Sequence, residues 1–161
     1  MGILMLFAAA TAAGYMKSMS LKVRVETAEE LLLFLAEYKA ALGRSVVPLY
    51  VLVERLAEGG KYARLGFLKP WAAAMRAGAG PGEAWESLTA GRLPPGLCEG
   101  FAGFCGELGQ SDRAAQEALC DAYGDVFAEL REICRREYAE KGRLYRSLGL
   151  YAGAFLAVLL F

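Results

Sequence analysis

All 18 Lys and Arg residues and all 18 Asp and Glu residues of this 161-residue chain fall between Lys17 and Arg146, so residues 1–16 and 147–161 carry no charged side chain. Runs of that kind are not solvated like a protein surface, and the two ends therefore belong in a different medium from the middle. Met1–Met16 (MGILMLFAAATAAGYM) is bordered by Lys17, and Ser147–Phe161 (SLGLYAGAFLAVLLF) by Arg146. At about 1.5 Å per residue, 16 helical residues reach about 24 Å, against a hydrocarbon core of about 30 Å. Snorkelling of Lys17 and Arg146, interfacial Tyr15 and Tyr145, and local thinning of the bilayer close such a gap. The expected organisation is a membrane segment at 1–16, a cytoplasmic helical domain at 18–143 and a transmembrane helix at 145–161. Two rivals stand beside it. The first run also reads as a secretory signal with a cleavage site near Ala12–Ala13, and the two ends together as a helical hairpin buried in a soluble core.

Cations flank both apolar runs on the inner side: Lys17, Lys22 and Arg24 after the first, and Arg135, Arg136, Lys141, Arg143 and Arg146 before the second. Positive flanks stay on the cytoplasmic side, which places 18–145 there. Within the second set Glu132, Glu137 and Glu140 are interleaved, the habit of a solvated helix.

The middle of the chain reads as all-α. Thr27 with Glu30 has the form of a capping box, followed at helical spacing by Leu31, Phe34, Leu35, Tyr38 and Leu42, with Gly43 as the stop. Ser45 and Pro48 open a second helix that ends at Gly59–Gly60. Phe67, Leu68, Trp71 and Met75 mark a third, with Pro70 either near its start or kinking it, and Pro81 begins a fourth over Gly82–Thr89 that turns Trp85 and Leu88 inward. Trp71 and Trp85 read as interhelix packing. After Pro94–Pro95, the residues Leu97, Phe101, Phe104, Cys105 and Leu108 form one stripe. Gly109 reads as the residue after that helix, and Ser111 or Asp112 as the next N-cap. The last helix, without a proline, is expected to turn Ala115, Leu119, Ala122, Val126, Leu130 and Ile133 to one side and to run on into the terminal apolar segment, with Gly142 and Gly149 as its weak points.

Several function classes lose their means. Net charge is zero, which removes the electrostatic footprint of a nucleic-acid binder. There is no His to act as general base, metal ligand or pH switch. Cys98, Cys105, Cys120 and Cys134 include no C-x-x-C pair and read as buried reduced thiols, a redox or disulfide role being the alternative. No Ser has a G-x-S-x-G context, and the glycine-rich Gly78–Gly82 lacks the Lys–Ser/Thr of a phosphate loop. The pairs Glu29/Glu30 and Glu83/Glu86 suit helix first turns. No catalytic, cofactor-binding or metal-binding residue is assigned, no cofactor is expected, and an enzyme is not expected.

Phe104-Cys-Gly-Glu-Leu-Gly-Gln-Ser-Asp112 followed by Gln116, the earlier Gly82-Glu-Ala-Trp85, and Lys141-Gly-Arg-Leu-Tyr145-Arg-Ser-Leu-Gly149 leading into an apolar end resemble the stage III sporulation protein AB family. The resemblance runs over essentially the whole chain, including the Val47-Pro48-Leu49 helix start. It implies a domain similar to the cytoplasmic domain of type II secretion F proteins, held in the mother-cell membrane facing the forespore. It further implies a platform or adaptor of the secretion-like channel between the two cells, with a cytoplasmic secretion-type ATPase, stage III sporulation protein AA, and other channel membrane proteins as partners; homo-oligomerisation stays open. The alternative is an inner-membrane platform of another type II secretion or pilus-like system. Two sets of residues are candidates for contacts. Glu107 and Gln110, in the polar turn before the last helix, are candidates for the partner, although capping alone also accounts for that turn. Gly149, Gly153 and Ala157 repeat every four residues as a small-residue face for membrane helix packing, with Ala8 and Ala12 offering a match on the first run.

Overall fold

From Tyr15 to Leu42 the sequence has neither glycine nor proline, and in the computed structural model a single helix, α1 (Gly2–Leu42), runs through it. The structure describes residues 2–159 except 45–46, 89–92 and 111, and side chains within that set except those of 2–11, 13–14, 143, 145–146, 148–150 and 152–159. Five further helices follow: α2 (Leu49–Glu58), α3 (Leu68–Arg76), α4 (Pro81–Glu86), α5 (Pro95–Glu107) and α6 (Arg113–Leu159). The described residues contain no strand.

Most helix boundaries follow local chemistry. Pro48 and Pro94 cap α2 and α5 in extended backbone, and Pro81 occupies the first turn of α4. Gly60 and Gly109 take φ of 68° and 80°, the left-handed region that ends a helix at no steric cost to glycine. Asp112 caps α6, its Oδ1 accepting the Ala115 N–H at 3.0 Å; Ser111, the alternative cap, lies outside the described residues, as does Ser45. Two expectations fail. Thr27 does not begin a helix: it is buried inside α1, because Ser18–Glu26 contains nothing to break the helix, and Glu29 and Glu30 accordingly lie far from any first turn. The expected inner stripe of α6 is also partly misplaced, with Leu119 and Leu130 packed against the core but the rest turned away from it. Ala115, Ala122, Val126 and Ile133 are exposed, while Cys120, Phe127 and Cys134 are buried. The aromatic and thiol side chains at 120, 123, 127 and 134 bury more apolar area than the alanines of the competing stripe, so they decide the rotation of the helix.

Contacts divide the chain into two units, Glu26–Arg131 and the pair Met1–Val25 with Glu132–Phe161. In the first, Phe101 of α5 has no exposed surface and meets Phe67, Trp71 and Trp85 edge-on at centroid distances of 5.1, 5.3 and 4.7 Å. The whole expected α5 stripe, Leu97, Phe101, Phe104, Cys105 and Leu108, is buried. The Trp71 indole N–H donates to the Pro81 carbonyl at 3.0 Å, which ties α3 to the start of α4. The loop between α2 and α3 is held to α1 by three acids: Glu26 takes the Arg64 guanidinium, Glu30 the Arg64 backbone N–H, and Glu37 both Lys61 and the Tyr62 hydroxyl.

In the second unit α1 and α6 approach at small residues. A Cβ on buried Gly142 would lie 3.4 Å from the Ser18 hydroxyl, and Ser18 is itself buried. Arg24 of α1 pairs with Glu137 of α6 at 3.1 Å, and Leu21 and Cys134 are buried in the same unit. The helix passes Gly142 and Gly149 without interruption. Among the described residues no helix is long and apolar enough to cross a membrane. The expected membrane segments 1–16 and 145–161 fall largely outside the described side chains, and the surroundings of Gly149, Gly153 and Ala157 wholly so.

Candidate functional site

The α5–α6 turn is built by the residues that end one helix and start the next. Gly109 turns the chain, and a Cβ there would sit 3.8 Å from the Pro81 ring. Both candidate contact residues have intramolecular partners. Glu107 accepts the Tyr123 hydroxyl at 2.7 Å, bridging α5 to α6, and Gln110 donates its side-chain amide to the Gly106 carbonyl at 2.5 Å, satisfying one of the acceptors that α5 leaves open. Burial first, then the Glu107 carboxylate, pushes the Tyr123 phenol up to about 12, so at neutral pH it is a hydrogen-bond donor. Glu107 and Gln110 remain exposed despite these bonds, and with Gly109 between them they form a fixed polar surface.

The close packing of α5 on α6 rests on a glycine series that composition alone does not single out. Gly96, Gly100 and Gly103 lie under Leu130, Phe127 and Tyr123 in turn. The spacing of three and four residues is the signal that carries it, since those positions share one helix face.

Three of the four thiols are poor nucleophiles. Burial raises the Cys105 and Cys134 thiols above the usual range and takes Cys120 to about 11, so they stay protonated at neutral pH. Cys98 is half-buried, and all four are free. Among the described residues no group of three or more Cys, Asp or Glu side chains is placed to hold a metal ion.

The family model for stage III sporulation protein AB matches residues 1–161. No curated protein and no solved structure matches.

Proposed function

The chain belongs to the stage III sporulation protein AB family over its whole length, a sporulation family, and from that premise we propose that it is a membrane-anchored platform and adaptor of the channel between mother cell and forespore. The whole-chain family match is the observation that carries this reading. The uncharged ends bordered by Lys17 and Arg146 tether it to the mother-cell membrane, and the helical middle, akin to a type II secretion F domain, faces the cytoplasm and recruits a secretion-type ATPase. Tethering supports such a role because a membrane-bound array presents many copies at high local concentration, so weak contacts suffice. The domain does no chemistry of its own: it has no His, and its buried thiols are held protonated. Full-length protein in detergent micelles should retain the cognate stage III sporulation protein AA on an affinity resin. Absence of retention in any nucleotide state would remove the adaptor role.

A further inference from the structure

Within the Glu26–Arg131 unit, a groove of about 870 Å³ runs between α1 and α6, lined by Leu32, Leu35 and Ala36 on one side and by Cys120, Asp121 and Gly124 on the other. Its α1 wall, Leu32 to Gly43, is about 17 Å long at 1.5 Å per residue, the length of three helical turns. Ala36, Ala40 and Gly43 on that wall and Gly124 opposite leave the backbones open to close approach, as a third helix packing at 8–10 Å requires.

Charge along the groove is unbalanced. Glu117, Asp121 and Asp125 follow one another every four residues on the α6 lip. Arg113 neutralises Glu117 at 2.9 Å, and Lys39 grips both oxygens of Asp121 at 2.5 and 2.6 Å. Asp125, and Glu129 one turn further on, have no ion-pair partner among the described residues. Two cations of the chain's own basic stretch are already paired, Arg136 with Glu132 at 3.8 Å and Lys141 with Glu137 at 3.2 Å, which weakens a second copy as the occupant.

We propose that this groove docks an amphipathic helix of a partner protein, with small or apolar residues against Leu32, Leu35 and Gly124 and a cation facing Asp125. The proposal rests on the adaptor reading only for the source of that helix, the ATPase.

The test uses the full-length chain in zwitterionic detergent micelles and two fluorescent 16-residue peptides sharing an Ala/Leu face, one with Lys and one with Glu along its flank. The Lys peptide should bind at least tenfold more tightly and weaken with added salt. Asp125→Lys, which reverses the charge, and Ala36→Trp, which fills the groove from an exposed position, should each weaken it at least tenfold with unchanged melting. Equal binding of the two peptides, or wild-type binding by both variants, overturns the proposal. So does a groove substitution that changes the oligomeric state while the Lys peptide fails to bind, since that assigns the groove to a second copy. Recruitment of the ATPase is scored in parallel. Peptide binding without ATPase recruitment leaves the groove standing and removes the adaptor reading, whereas recruitment that survives both variants keeps the adaptor and removes the groove as its contact.

Discussion

The Tyr123 hydroxyl lies where a Cβ on Gly103 would come within 2.7 Å of it, closer than real Cβ contacts allow. Glycine at 103 is thus what lets the phenol reach Glu107 and join α5 to α6. Gly103→Ala should displace the ring and cost about 1–3 kcal/mol, the usual range for overpacking. Gly106, on the same helix, has open space where its Cβ would be. Gly106→Ala should be neutral, or stabilising by up to about 1 kcal/mol through helix propensity. Denaturant melts of the two variants give opposite signs if this reading of α5 is right, and equal losses would refute it.

Because Glu107 and Gln110 both bond within the turn, removing them tests fold and surface together. Each hydrogen bond contributes about 1 kcal/mol, so Glu107→Ala with Gln110→Ala should lower stability by about 1–2 kcal/mol. Tyr123→Phe breaks the same Glu107 bond while leaving the polar surface in place. Loss of ATPase recruitment in the double variant but not in Tyr123→Phe would assign the turn to the interface; matching losses would assign it to folding. The phenol also supplies a pH signature. Its folded value, about 12, lies above its ordinary value of 10.0, so the stability it contributes is complete below that ordinary value and fades as pH rises through about 12. Tyr123→Phe should therefore lose stability less steeply across that window.

Glu37 supplies the opposite case. Hydrogen bonds from Lys61, then from Tyr62, hold its carboxyl below the ordinary value of 4.5. The contribution is present above that value and is lost as pH falls through the lowered one. In Glu37→Gln the acid limb of the stability profile should be shallower, and proteolysis in the loop 59–67 should already be faster at neutral pH. An unchanged cleavage rate would mean that Glu26 and Glu30 hold the loop without it.

What was legible in the sequence tracks how one-sided the local signal was. The α5 stripe from Leu97 to Leu108 has bulky residues on one face and glycines on another, and every expected core member is buried. On α6, alanines populate both faces, so choosing Ala115, Ala122 and Val126 over Cys120, Tyr123 and Phe127 turned the helix the wrong way. The Thr27–Glu30 pattern was real as a motif, yet capping requires a chain that leaves the helix before it, and Ser18–Glu26 has no residue to make that break. The Glu107–Tyr123 bond spans 16 residues, and the Lys39–Asp121 pair 82, so no local pattern could announce either. The unbalanced α1–α6 groove, which depends on that long-range pairing, was equally hidden.

The cysteines give the last expected outcome. Cys105, Cys120 and Cys134 are 1, 3 and 6% exposed, whereas Cys98, near the start of α5, is only half-buried. The thiolate is the form that attacks maleimide, and burial suppresses both access and ionisation at the first three. In the folded chain at neutral pH, a membrane-impermeant maleimide should therefore modify Cys98 alone, with the other three reacting after unfolding. Cys98→Ser should abolish the fast reaction, a result that rapid labelling at any buried position would contradict. The same thiol then reports sidedness without engineering. If 18–145 faces the cytoplasm, Cys98 is protected in intact cells and labelled in inverted vesicles, and labelling of intact cells would place the helical domain on the other side of the membrane.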